Sequence, residues 1–451
     1  MSVATTVPGT LEAAGSRVAE KHPKGLFVLF FTEMWERFSF YTVGSMWALY
    51  VQASQAEGGF GWPQDRATNV YSYYQMFVYA SPLLGGILAD RFLGYRRSVM
   101  IGGLFFMLGH GLLAVPSVPV MFAALACLVI GNGFFKPNVS AMVGNLYPEG
   151  SHLKDRAYNI FYMGINVGAF LAPVVAEFMT GRFGYHPAFF MGAIGMVISV
   201  ATLGLFKRHV LSADRKKGVA APSSTAATAV DAPPKGISQQ NPIDLVPDSR
   251  RVLALIVIFA VVIVFWMVFH QNQTTLTYWA NNNTAWNVTG IISNAINPAW
   301  VLILTFPLVW FWGVLDRRGL EPSTPTKMAI GMCLTGLSFF IMYFAGKAGG
   351  DVGRVSPWWL ISAYAVLTLG ELMLSPMGLS LVSKVAPIRL RGIMMGGWFL
   401  ATAIGNKLTA IGVLWDDMLH SSFFALLGAM ALFMAVVLAL LLKPLKKAMP
   451  V

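Results

Sequence analysis

Long apolar stretches recur along this chain between short polar segments. They fall at about 27–51, 69–90, 97–115, 118–145, 157–181 and 187–206, and again at about 251–280, 291–314, 326–345, 357–382, 391–414 and 421–442. Each approaches or exceeds the ~20 residues that a helix needs to cross the hydrocarbon core of a bilayer. Between the sixth and seventh lies 207–250, rich in Ala, Pro, Ser and Lys, as in KKGVAAPSSTAATAVDAPPKG. Such a segment cannot bury apolar surface and reads as a flexible linker. The pattern predicts an all-α polytopic membrane protein of twelve transmembrane helices. Its parts are a polar tail over 1–26, a six-helix bundle over 27–206, the linker over 207–250, a second six-helix bundle over 251–442 and a tail over 443–451.

Composition agrees, with 56% of the 451 residues hydrophobic and only 12% charged, against about 25% charged in soluble domains. The net charge of +12 would fit a nucleic-acid partner were it not for its distribution. Arg17, Lys21, Lys24, Lys154, Arg156, Arg317, Arg318, Lys384, Arg389, Lys443, Lys446 and Lys447 all fall on the side of the termini and linker, whereas the other side carries only Arg66, Arg182, Lys347 and Arg354. By the positive-inside rule both termini and the linker are cytoplasmic in a cell membrane, and no nucleic acid is expected. The first 24 residues lack the pattern of a signal peptide. Cys127 and Cys333 sit in apolar runs and imply neither a disulfide framework nor a metal site. No nucleotide loop, nucleophile elbow or zinc pattern is present, so neither an enzyme nor a cofactor is expected. Two six-span halves fit the major facilitator architecture, in which substrate binds near the midplane between halves that rock.

Charges inside the spans mark the candidate chemistry. Glu33, Glu36 and Arg37 lie in the first span, where three unpaired charges would cost on the order of 8–10 kcal/mol. Their i,i+3 and i,i+4 spacings put them on one helix face, and such groups usually line a substrate, ion or proton path. Lys136 precedes Pro137 in the fourth span and is too deep to snorkel easily. It is either half of a structural ion pair or a functional partner of Glu33 and Glu36. Glu371 in the tenth span is a lone carboxylate that suits a substrate amine or an interhelical bond. Asn166 in the fifth span can anchor a polar ligand or bond a neighbouring helix. Tyr41, Tyr79, Trp266 and Trp398 are wall candidates, although aromatics in spans are more often packing residues. His270 opens the polar run HQNQTT, which includes Gln271, Gln273, Thr274 and Thr275 and is consistent with a wet cavity. After the second span, PLLGGILADRFLGYRRS combines glycines with Asp90, Arg91, Arg96 and Arg97, and these can form a charge latch at the cytoplasmic surface.

Several of these motifs together resemble the proton-dependent oligopeptide transporter (POT/PTR) family of the major facilitator superfamily. They are E-x-x-E-R-F at Glu33–Phe38, ADRFLGYRRS, GNGFFKPNVS, FYMGINVGA, Phe265–Trp266, Asn297–Pro298, GELMLSPMGLS and GGWFLATAIGN. The resemblance runs from about residue 28 to 410. It implies a proton-driven importer of di- and tripeptides working by alternating access, with Glu33, Glu36, Arg37 and Lys136 in proton coupling. It places Tyr41, Tyr79, Asn166, Asn297, Glu371 and Trp398 in the peptide cavity, with Glu371 meeting the peptide amino group. Lys136 and Glu371 are expected to approach when the cytoplasmic side closes.

The chain departs from the family pattern in three ways. The linker is too short and polar for the two extra spans of many bacterial members. Phe40 stands where a tyrosine is common. Gly44 and His270 occupy the positions of a gate arginine and its glutamate. Plant nitrate transporters of the family carry a histidine in the seventh span with a threonine four residues on, as His270 and Thr274 do here. Import of nitrate or another small anion therefore remains an alternative, and so does a membrane peptide receptor without net transport. The expected partners are a small peptide, protons and lipid, and the expected state is a monomer. His270 is expected to act as a proton-sensitive gate or as a ligand contact.

Overall fold

The computed structural model describes residues 21–148, 151, 153–214 and 242–449. Most of the expected N-terminal tail, Arg17 included, and the middle of the linker lie outside them. The helices in the first half are α1 (Lys24–Tyr50), α2 (Gln64–Leu88), α3 (Tyr95–Leu113), α4 (Val118–Asn145), α5 (Leu153–Phe183) and α6 (Tyr185–Leu205). Those in the second are α7 (Asp248–Phe269), α8 (Thr275–Asn282), α9 (Ile296–Arg317), α10 (Thr324–Ala348), α11 (Pro357–Val385), α12 (Arg391–Leu408) and α13 (His420–Ala448). Ten helical stretches among the described residues are long and apolar enough to cross a membrane, α7 and α8 counting as one. The other two spans are α1, which carries its three deep charges, and α3, whose apolarity is diluted by Arg96, Arg97 and His110.

The seventh span departs most from expectation. A continuous helix was expected over 251–280, but α7 ends at Phe269, His270–Gln273 form a 3-10 turn, and α8 begins at Thr275. Thr274 sits at the break with φ −127° and ψ −93°. Three consecutive carboxamides followed by two threonines supply side-chain hydrogen bonds that compete with the helix ladder. The linker expectation also needs correction at its ends. Lys207–His209, Leu211–Ala213 and Pro242–Leu245 are 3-10 turns, and Val210 and Ala213 are fully buried. The final helix runs six residues beyond the apolar stretch, through Lys443, Lys446 and Lys447, whose charge favours a helix C-terminus.

Two cores form, one in each half. The first includes Trp47, Tyr50, Phe106, Phe135 and Phe189, and the second Phe265, Trp279, Phe339, Phe423 and Phe424. In lipid, helices gain little from apolar burial and rely on close packing. Gly168 shows this, because a Cβ there would lie 2.2 Å from the Met34 carbonyl oxygen. Only glycine lets α5 seat against α1 beside its charged turn.

The halves meet through α2 with α12, α5 with α9, and the outer end of α1 with α8. At the end carrying the termini, α4 and α11 are not closely packed among the described residues. Among the described residues the halves are thus joined most closely at the end away from the termini and linker.

Candidate functional site

All three charges of α1 are buried, Glu33 at 1%, Glu36 at 0% and Arg37 at 3% exposure. The Arg37 guanidinium donates to both oxygens of Glu36, with Nη2 at 2.6 Å from Oε1, and its Nε lies 3.3 Å from Glu33 Oε1. Nη2 also reaches Asn132 Oδ1 at 3.5 Å, while Asn132 Nδ2 donates to the Val78 carbonyl at 2.7 Å. Asn132 stands four residues before Lys136 on α4, a spacing that could have flagged it. Glu36 and Arg37 neutralise each other, leaving Glu33 as the surplus carboxylate. Its Oε2 is buried and has no hydrogen-bond partner among the described residues.

Lys136 does not form the expected ion pair with Glu33 or Glu36 in this conformation, since Arg37 already holds both acids. Its Nζ sits 4.6 Å above the Tyr79 ring centroid instead, within electrostatic reach of all three α1 charges. Tyr79 in turn faces His270 at 5.9 Å, and His270 stacks on Trp266 at 5.0 Å and 19°. His270 is buried, and neither ring nitrogen has a hydrogen-bond partner among the described residues.

Across the gap, Asn297 at the start of α9 donates to Glu371 Oε2 and to Thr368 Oγ1, both at 2.9 Å. No cation lies within 4.0 Å of Glu371 among the described residues. Tyr41 and Tyr162 are within electrostatic reach of this carboxylate. Tyr162 escaped the sequence reading, although it precedes Asn166 by one helical turn in FYMGIN. Asn166 spends its amide on the Tyr162 carbonyl, at 2.9 Å. Trp398 is buried at 3% exposure, set against Gly378 of α11 and edge-on to Phe259.

The polar run of the seventh span does not line a wet cavity. Gln271, Gln273, Thr274 and Thr275 are at most 5% exposed and bonded. Thr274 and Thr275 donate to Gln271 Oε1, while Tyr71 and Gln75 of α2 donate to Gln273 Oε1 at 2.9 and 2.7 Å. The break in the helix turns these side chains inward onto protein partners, as a straight amphipathic helix would not. In the loop after α2, Asp90 accepts from Tyr95 Oη at 3.0 Å, and Arg96 meets Asp214 beyond α6 at 3.5 Å. Arg91 and Arg97 are exposed.

The geometry places a surplus carboxylate and a lysine in one half, opposite an amide-held carboxylate in the other. That arrangement suits a small zwitterion spanning the gap. The model of the family described as PTR2, POT family, matches residues 96–232 and 235–414. A di-/tripeptide transporter of Lactococcus lactis subsp. lactis is 31% identical, with 95% of this chain and 96% of the relative covered. The peptide transporter YePEPT of Yersinia enterocolitica is 30% identical over 100% of this chain and 98% of its own. A crystal structure of a substituted POT peptide transporter with alafosfalin superposes with a TM-score of 0.82 at 31% identity, covering 95% of this chain and 96% of that one.

Proposed function

The chain belongs to the POT family, and on that premise we propose that it is a proton-coupled symporter importing di- and tripeptides by alternating access. The observation that carries this reading is the surplus carboxylate of Glu33, which has an open oxygen beside Arg37 and Lys136. Glu33 takes the proton, and Lys136, released from its pull, is freed for the peptide carboxylate. Glu371, held by Asn297, receives the peptide ammonium. Peptide and proton together favour one facing state over the other. Both termini and the linker are cytoplasmic, so the less closely joined end is the release side.

His270 acts in this scheme as a ligand contact. Its unpaired nitrogens offer hydrogen bonds beside Tyr79, and Gly44 faces Gln273 rather than His270. The histidine–threonine pair of an anion carrier is weakened here, because Thr274 gives its hydroxyl to Gln271.

Uptake by the purified protein in liposomes under an inward acid gradient tests the proposal. Dialanine accumulation that an uncoupler abolishes is the expected result. Nitrate accumulation without dialanine would replace it with an anion symporter, and dialanine binding without accumulation would replace it with a receptor.

A further inference from the structure

The more closely joined end of the two halves is held almost without charge. Among the described residues no ion pair joins the two halves. Gln273, in the break of the seventh span, accepts from Tyr71 and Gln75 of α2, and Gln75 Nε2 also lies 2.9 Å from Tyr71 Oη. Gln64 of α2 donates to the Gly412 carbonyl beyond α12 at 2.7 Å. Two charged groups reach across nearby, and both bond neutral partners, Glu177 the Thr289 amide and Lys407 the Ser72 hydroxyl.

Gly44 is what lets Gln273 sit there. A Cβ at position 44 would lie 2.9 Å from Gln273 Nε2 and 3.1 Å from Tyr71 Oη. The carboxamide is the far end of a flexible side chain and could swing clear, but only by leaving Tyr71 and Gln75. Outward of this contact, between the halves, lies a vestibule of about 560 Å³ lined by Leu49, Gln52, Glu57, Tyr278 and Asn281 among others. Leu49 and Tyr278 each follow the contact by five residues on α1 and on the seventh span. Gln273 and its partners do not line the vestibule but lie inward of it along both helices.

We propose that Gln273, clasped by Tyr71 and Gln75 over Gly44, is the outer gate, and that it opens and closes by exchange of neutral hydrogen bonds. The inference rests on the alternating-access reading and specifies where and how its outer side closes. No proton then binds at the gate itself, and protonation of Glu33, deeper in the molecule, reaches it only through the change of facing state. The titratable groups around the cluster are Tyr71 itself, its neighbours Tyr41, Tyr74 and Tyr79, and His270 beyond Tyr79, and among the described residues no carboxylate is hydrogen-bonded to it.

The test is a distance measurement between spin labels at Glu57→Cys and Asn282→Cys, on opposite halves at the vestibule. The full-length protein is placed in lipid nanodiscs with Cys127 and Cys333 replaced by Ala. Gly44→Leu is expected to raise the ratio of long to short distances about fivefold or more, as for loss of at least one hydrogen bond. Gln75→Glu is nearly isosteric and guards against a variant that merely misfolds. It should resemble its parent at pH 5, where the protonated acid still donates, and shift to long distances at pH 8, where carboxylate and Gln273 Oε1 repel. Parental distances in both variants at both pH values would overturn the gate. A parent that keeps one distance whatever the pH or peptide would instead overturn alternating access, while the response of the variants still judged the gate.

Discussion

Arg37 grips Glu36 with two nitrogens but touches Glu33 with one, at 3.3 Å. The two acids of one motif are therefore unequal, and their neutral replacements should behave differently. Glu33→Gln keeps the Arg37–Glu36 pair. It should fold normally, retain peptide counterflow and lose proton-driven accumulation. Glu36→Gln leaves the buried guanidinium with only its single, longer contact to Glu33, at a cost below the roughly 3–5 kcal/mol of a fully broken buried pair. It should lower the unfolding temperature clearly as well as abolish accumulation. Thermal unfolding in detergent, run beside the two uptake modes, separates them. Equal destabilisation by both would contradict the assignment.

Among the described residues Lys136 has no acid within 4.0 Å, and it rests over Tyr79. Lys136→Gln should weaken binding of a free dipeptide about tenfold or more, the scale of one charged hydrogen bond. It should hardly affect binding of a dipeptide amide, which lacks the carboxylate. Titration calorimetry on both ligands decides the point, and an equal loss for each would show that Lys136 does not meet the carboxylate.

Asn297 aims Glu371 by one of its two hydrogen bonds, the other going to Thr368. Removing the amide with Asn297→Ala should raise the KM for dialanine several-fold, because Glu371 is left free to turn away. Glu371→Gln should go further and lower affinity about tenfold or more for the lost charge contact with the ammonium. If N-acetylated dialanine bound the wild type as tightly as dialanine does, no carboxylate would be needed for the amine.

Replacing His270 separates its two expected roles. As a ligand contact, His270→Gln should raise KM about fivefold and leave the shape of the uptake profile between pH 5.5 and 7.5 unchanged. A flattened profile at unchanged KM would make the ring a proton sensor instead.

The spans were legible because the bilayer imposes a length that apolar runs disclose directly, and only the charged α1 and the diluted α3 blur it. The Glu33–Arg37 contact was legible too, since i,i+4 residues share a helix face. The tighter Glu36–Arg37 contact was not, because adjacent residues point apart on a helix unless a long side chain folds back. Pairings such as Gln273 with Tyr71 and Gln75 join residues about two hundred positions apart, and no local pattern announces them. The break at His270–Thr274 left its trace as a run of amides and hydroxyls. Reading that run as the lining of a watery space missed that carboxamides can satisfy one another and a neighbouring helix in a dry interior.

The interrupted seventh span puts two tasks within four residues. His270, the proposed ligand contact, packs between Tyr79 and Trp266, while Gln273 reaches the other half of the molecule. An engineer could therefore retune selectivity at one and turnover at the other without touching the proton machinery on α1. The same proximity sets a limit on inhibitors. A compound that fills the space beside His270 and also displaces the Gln273 carboxamide would jam recognition and motion together, and escape would then require two compatible changes in one short turn.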